Sequence, residues 1–294
     1  MKVFKFGGAS IKDAHGVRNL RHIVAEEKEP LVVVVSAMGK TTNALERVVN
    51  AMWLRETEQA LREWDLVKDY HDNIAREVGV KLSFEVPLFT TTYELYDELY
   101  DQFVSYGELF SSRLVSLYLN RMGLPNKWLD MTSLLLTDHS YRRAKVDIFE
   151  SEERLRRAVK QSPADTRLWV TQGFIGGTTD HKNTTLGREG SDYSAALIGN
   201  FLDAESVTIW KDVAGILTAD PHKDSNAQLI RELSYADAAR LAASGAQIIH
   251  SKTIEPLEEK QIPLYVKSFV NPKAEGSIIH ATDKKLNVAV SWGK

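Results

Sequence analysis

Lys5-Phe6-Gly7-Gly8-Ala9-Ser10 sets a cation beside two residues that have no side chain. Backbone N–H groups at Gly7 and Gly8 could approach an anion closely, a following helix would add its positive N-terminal end, and Lys5 would neutralise phosphoryl oxygens. The same residues would serve equally as a plain strand-to-helix turn beside a solvated lysine. A second anion-handling segment is Gly187-Arg188-Glu189-Gly190-Ser191-Asp192. An arginine in a glycine-flanked loop can fork onto a carboxylate, whereas Ser191 or Asp192 taken singly could do no more than cap the next helix. Together they look more like an anion-handling site than a cap. Glu108 falls within an otherwise apolar helical pattern, Tyr106–Arg113, where it is either a buried, paired carboxylate or an exposed one; spacing alone favours exposure. Lys211 and Asp212 directly follow a strand and precede a turn at Gly215, which suits a nucleotide pocket, although Asp220-Pro221 alone is an ordinary Asx turn. The small-residue segment Ser36–Asn43 is either a ligand loop at a strand end or a turn and N-cap.

Several chemistries are excluded. The chain of 294 residues has no cysteine, which removes disulfides, thiolate catalysis and Cys-ligated metals. Its 8 histidines form no HExxH pattern or close metal-ligand pair, and no GxSxG nucleophile elbow is present. Gly39-Lys40-Thr41 does not complete a Walker A loop, because the required earlier glycine is Val34. With 37 basic against 40 acidic residues, the chain has no global basic field for a phosphate backbone, so nucleic acid is not an expected partner. The longest apolar run, Leu31–Val35, is far shorter than a membrane span, and the charged, glycine-containing N-terminus is no secretory signal. A cytoplasmic location is expected.

These residues need a scaffold. Val3–Phe6 reads as a strand running into Gly7-Gly8 and then a helix over Asp13–Glu27; Leu31–Val35 and a helix from Thr42 to about Leu54 repeat the unit. Two such units predict an α/β fold with a parallel sheet whose ligands sit beyond the carboxyl ends of the strands. Helical stretches follow at Arg55–Val78 and Thr92–Arg121, then strands at Lys127–Asp130 and Arg167–Thr171. Gly173–Arg188 reads as a loop, Ser191–Leu202 as a helix, Ser206–Trp210 as a strand, Ser234–Ala243 and Thr253–Lys260 as helices and Leu264–Val266 as a strand. Ile278–Ile279 and Val288–Val290 suit edge strands.

Taken in order, the segments KFGGAS (Lys5–Ser10), VVSAMGKTTN (Val34–Asn43), GELFSSRL (Gly107–Leu114), TQGFIGG (Thr171–Gly177), TTLGREGSDYSAAL (Thr184–Leu197), IWKDVAGILTADP (Ile209–Pro221) and SGAQIIH (Ser244–His250) resemble the catalytic domain of aspartate kinases, in the amino-acid kinase superfamily. The resemblance covers nearly the whole chain. It implies a three-layer αβα sandwich with a mainly parallel central sheet, with an amino-acid-binding lobe over about 1–200 and a nucleotide-binding lobe over about 201–294. It implies transfer of the ATP γ-phosphoryl group to the side-chain carboxylate of L-aspartate, the step that feeds lysine, threonine and methionine synthesis. A carboxylate is already a competent nucleophile, so the protein chiefly positions charges and reactants.

By this resemblance Lys5, helped by the Gly7 and Gly8 amides, would stabilise the transferring phosphoryl group, and Asp192 would orient Lys5 or the metal-bound phosphates. Arg188 would hold a substrate carboxylate and Glu108 its ammonium group, with Thr42, Phe174 and Ser191 completing that pocket. Ser36, Lys211, Asp212, Leu217, Asp220 and Lys252 would face the nucleotide. Mg²⁺ is expected with the ATP phosphates, without a firm protein ligand. Many aspartate kinases carry Tyr, Arg and Lys where this chain has Leu217, His222 and Gln247, and Lys252 is the expected substitute for the missing cations. Glu189 stands where glycine is common. The chain stops where family members usually continue into ACT regulatory domains, so feedback inhibition through such domains is not expected. A homodimer is the assembly the resemblance allows.

Overall fold

The computed structural model describes residues 1–83, 89, 91–219, 224, 226–243 and 249–284. In chain order the elements are β1 (Lys2–Phe6), α1 (Ala14–Glu26), β2 (Leu31–Val35), α2 (Thr41–Trp53), α3 (Thr57–Glu77), α4 (Tyr96–Val104), α5 (Tyr106–Arg121), β3 (Lys127–Trp128), α6 (Met131–Leu134), α7 (Ile148–Lys160), β4 (Leu168–Gln172), β5 (Ile175–Gly177), β6 (Asn183–Thr185), α8 (Gly190–Phe201), β7 (Ser206–Lys211), β8 (Glu232–Ser234), α9 (Tyr235–Ala243), α10 (Ser251–Glu259), β9 (Leu264–Ser268) and β10 (Ser277–His280).

Eight strands form one sheet in the order β3-β4-β2-β1-β7-β9-β10-β8, parallel throughout except for the β9–β10 pair. From β1 the chain first steps to β2 and β4 on one side, and later to β7 and β9 on the other. The strand order therefore reverses around β1, and the crevice such a reversal opens lies at the carboxyl ends of β1, β2, β4 and β7.

The all-buried run Leu31–Val35 shows how the layers form. Val33 and Val35 pack with Phe4, Phe6, Val170 and Trp210 under α1–α5, while Val32 and Val34 pack with Val3, Trp169, Val207 and Ile209 under α7–α10. Alternating side chains thus bury both faces of the sheet, which makes the three-layer αβα sandwich. The same alternation puts Lys5, two residues after Val3, and Lys211, two after Ile209, on the α8 face.

Several expectations are corrected. The single helix read over Thr92–Arg121 is two, α4 and α5, interrupted at the buried Ser105, whose hydroxyl donates to the Gln102 carbonyl and accepts from Asn183 Nδ2. The loop read over Gly173–Arg188 contains the antiparallel hairpin β5–β6, which also bridges to Leu136. The helices α6 and α7 and the strand β8 carry no expectation in the sequence reading. Ile278–Ile279 is not at an edge, because β10 lies between β9 and β8. Val288–Val290 lies outside the described residues. No helix among the described residues is long and apolar enough to cross a membrane.

Candidate active site

A cleft of about 500 Å³ opens at the carboxyl ends of the central strands. Of the residues singled out in the sequence, Lys5, Gly8, Ser36, Thr42, Glu108, Phe174, Arg188, Ser191 and Asp192 line it. They arrive from β1, the β2–α2 turn, α5, the segment after β4 and the start of α8.

At its floor Asp192 is almost wholly buried, with Oδ1 2.6 Å from Lys5 Nζ and Oδ2 3.3 Å from Lys211 Nζ. Full burial pushes its carboxyl pKa upward, but the two ammonium groups outweigh that and hold it below the usual carboxylate range. Asp192 sits in the first turn of α8, where the helix dipole also favours a negative charge. The triad carries a net charge of +1 from two adjacent strands and one helix, a preorganised electropositive floor for an anion.

Glu108 forms another wall and is buried, not exposed as its spacing suggests. Oε1 accepts from the Ala37 N–H at 3.1 Å, while Oε2 has no hydrogen-bond partner among the described residues. Burial pushes its pKa up to about 8; the Ala37 N–H and the nearby Lys5 offset this only in part. A buried acceptor left open in a cleft is a place for a ligand donor. The helix is anchored by the serines that follow Glu108: Ser111 Oγ donates to the Ser36 carbonyl at 2.7 Å, and Ser112 Oγ accepts from Gln172 Nε2 at 2.7 Å.

Arg188 stands exposed at the lip, with no carboxylate paired to it among the described residues. Tyr100 and Arg142 also line the cleft and carry no expectation from the sequence, while Thr185, Gly187 and Glu189 line it as members of the segment Thr184–Leu197. Three lining residues hold a left-handed backbone without being glycine: Arg142 (φ 64°), Phe174 (φ 68°) and Glu189 (φ 57°). Such conformations cost about 1–3 kcal/mol each and persist where neighbours over-determine them. The backbone N–H of Phe174, for example, donates to Ser194 Oγ at 2.9 Å.

The other nucleotide-side candidates among the described residues are not part of the cleft lining. Gly7 adjoins the floor, a Cβ there meeting Lys5 Nζ at 3.7 Å. Asp212 is exposed just past β7, Leu217 is half-buried and bridges to Leu229, and Lys252 is exposed in the first turn of α10. Asp220, His222 and Gln247 lie outside the described residues.

The two glycines differ physically. A Cβ on Gly8 would sit 2.2 Å from the Ala37 carbonyl oxygen, and the Gly8 carbonyl itself accepts from the Gly39 N–H at 2.9 Å, locking the β1–α1 and β2–α2 turns together. Gly8→Ala should therefore destabilise the fold by about 1–3 kcal/mol. Gly7→Ala, which meets only ordinary contact, should stay within about 0.5 kcal/mol. Urea unfolding midpoints of the two variants check this contrast, and equal midpoints would refute it.

A mostly parallel sheet with this strand reversal, and a lysine–carboxylate–lysine floor at its carboxyl edge, defines an α/β protein with an anion-binding cleft. The chain belongs to the amino acid kinase family, whose profile matches residues 1–268. It is similar to the aspartokinase of Chlamydia trachomatis serovar D, 34% identical over 285 residues that cover 95% of this chain and 64% of that protein. It is also similar to the lysine-sensitive aspartokinase 3 of Escherichia coli K12, 32% identical over 289 residues that cover 94% of this chain and 63% of that protein. The crystal structure of E. coli aspartokinase III in complex with aspartate and ADP superposes with a TM-score of 0.84 at 29% identity, covering 97% of this chain and 65% of that one. The chain thus spans a little under two thirds of the length of these relatives.

Proposed function

We propose that the protein is an aspartate kinase, transferring the γ-phosphoryl group of ATP to the β-carboxylate of L-aspartate to give 4-phospho-L-aspartate and ADP, the first step toward lysine, threonine and methionine. The observation that carries this reading is the convergence, in one cleft, of the Lys5–Asp192–Lys211 floor, the open Oε2 of buried Glu108 and the unpaired Arg188. These match the three charges of an amino-dicarboxylate meeting a phosphoryl donor. The relatives named above, one of them solved with aspartate and ADP, support it.

In this reading Glu108 takes the substrate ammonium and Arg188 forks onto the α-carboxylate, with Thr42, Phe174 and Ser191 around them. The β-carboxylate then points at the floor. One of its oxygens forms the new P–O bond as the bond from the γ-phosphorus to the β,γ-bridging oxygen breaks, and the electron pair leaves on ADP. No proton needs to move, so the site's contribution is alignment and charge. Lys5 and the Gly7 and Gly8 N–H groups neutralise the transferring oxygens, and Asp192 holds both lysines toward them. Mg²⁺ would supply further neutralisation from the ATP phosphates; among the described residues no group of three acidic or histidine side chains could hold a metal ion. The nucleotide lies toward 201–294, beside Ser36, Asp212 and Leu217, and the amino acid lies on the 1–200 side. A cytoplasmic homodimer is the form in which we expect it.

The test is ATP- and Mg²⁺-dependent acyl-phosphate formation, trapped with hydroxylamine, with L-aspartate against L-glutamate. Signal with aspartate alone supports the assignment. Aspartate binding without any acyl phosphate would make the protein an amino-acid sensor.

Of the candidates for a second cation beside Lys5, Lys211 is the one the fold brings to Asp192, whereas Lys252 is exposed. Lys211→Ala should lower kcat by about tenfold or more, and Lys252→Ala should change it by less than about twofold. Steady-state kinetics of the two variants, with the order of effects reversed, would move the second cation to α10.

A further inference from the structure

Asp101, on α4, is completely buried and belongs to none of the charged groups placed in the reaction above. Its carboxylate is nonetheless saturated with donors from two separate segments. Oδ2 accepts the Arg142 N–H at 2.9 Å and the Thr185 N–H at 2.8 Å, and Oδ1 accepts the Thr185 hydroxyl at 2.7 Å. Both donors are residues that line the cleft.

Arg142 is held in left-handed backbone, φ 64°, which a side-chain-bearing residue keeps only when its surroundings impose it. Its guanidinium is engaged elsewhere, stacked 4.3 Å over the Tyr100 ring and bonded to Asp97 at 3.2 Å, so its place in the cleft wall is fixed from both ends. The Arg142 carbonyl in turn supports the loop that carries Arg188. Gly187 (φ 79°) packs so closely that a Cβ there would lie 2.9 Å from that oxygen, and the Ala144 N–H donates to the Thr185 carbonyl at 3.0 Å. Among the described residues the Arg188 side chain has no ion pair or hydrogen bond that would orient it.

We propose that Asp101 is a positioning residue for the amino-acid substrate, acting through Arg142 and Thr185 to set the strained lip from which Arg188 reaches the substrate carboxylate. This rests on the assignment of L-aspartate to the cleft. It concerns binding of the acceptor and not the phosphoryl floor, because the hydrogen bonds of Asp101 run to Arg142 and Thr185.

The required feature is a planar group with one oxygen that accepts both N–H groups and a second polar atom that bonds the Thr185 hydroxyl, not a charge. An asparagine at 101 can supply it: its amide oxygen in place of Oδ2 takes both N–H groups, and its NH2 donates to Thr185 Oγ1, which can turn to accept. Alanine supplies neither and leaves the buried Thr185 N–H and the part-buried Arg142 N–H without their partner.

The experiment combines calorimetric titration of the whole protein with L-aspartate and acyl-phosphate kinetics. Asp101→Ala should weaken aspartate binding and raise its KM by about tenfold or more, with kcat at saturating aspartate and the KM for ATP within about threefold of the parent. Asp101→Asn should restore aspartate affinity to within about threefold of the parent. Asp101→Ser keeps a polar group but is too short to reach both N–H groups, and it should repeat the alanine result should that variant fail to fold. Parent-like aspartate affinity in the alanine or serine variant overturns the inference, as does an equal rise in both KM values or an asparagine variant as weak as alanine. A parent protein that binds no aspartate overturns the functional assignment itself, and this inference with it.

Discussion

Replacing Lys5 with alanine should reduce acyl-phosphate formation by roughly 10²–10³-fold or more while leaving aspartate binding within a few-fold of the parent. Lys5 lies on the central strand with its ammonium 2.6 Å from a buried carboxylate, so its position is fixed before any substrate arrives. Charge developing on the transferring phosphoryl therefore meets a donor that needs no reorganisation. Lys5→Arg should not rescue the activity, because the floor is nine-tenths enclosed and a planar fork cannot replace a compact ammonium there.

A fall in activity could also reflect damage to the fold, since Lys5→Ala leaves Asp192 with Lys211, at 3.3 Å, as its remaining cation partner among the described residues. The double variant Lys5→Ala/Asp192→Asn separates the two effects. Removing the second charge relieves the uncompensated burial, so the urea midpoint should recover toward the parent, while activity stays at the level of the single variant. If activity returns together with stability, Lys5 is a structural counter-ion only.

Lys5 was legible because a lysine interrupts an apolar strand directly before two glycines, and strand alternation then dictates its face. The runs Val3–Phe6 and Leu31–Val35 were equally plain, being β-branched or aromatic and bounded by glycine or proline. Glu108 was visible as a candidate, but helical spacing could not tell burial from exposure, since that depends on the β2–α2 turn folding over α5. The hairpin β5–β6 was hidden because Ile-Gly-Gly and Asn-Thr-Thr have little strand character of their own and gain it from α4 and the Leu136 bridge. Tyr100, Asp101 and Arg142 carried no local signal at all. Their roles arise from segments about 40 to 84 residues apart meeting at one carboxylate. Lys211 and Lys252 show the same limit from the other side: closeness along the chain to Gln247 points to Lys252, whereas strand register brings Lys211 to Asp192.

Aspartate binding should strengthen by up to about tenfold per pH unit from pH 6 to about 8 and then level off. In the unliganded protein Glu108 is pushed up to about 8, so near neutrality it is mostly protonated. The substrate ammonium requires the ionised form, and binding at pH 7 must expel close to one proton. The sign for folding is the opposite. Because the folded pKa exceeds the ordinary value of 4.5, the unfolded chain releases this proton first, and the stability of the unliganded protein falls as pH rises from about 4.5 to about 8. Glu108→Gln keeps the acceptor toward the Ala37 N–H but cannot ionise. It should bind aspartate roughly 10²-fold more weakly than the parent at pH 8, with no proton release and without that decline in stability. Titrations in buffers of differing ionisation enthalpy count the proton directly. Release of none by the parent at pH 7 would mean that Glu108 is already ionised in the free protein, and that Lys5 compensates its burial more fully than the distance to Asp192 suggests.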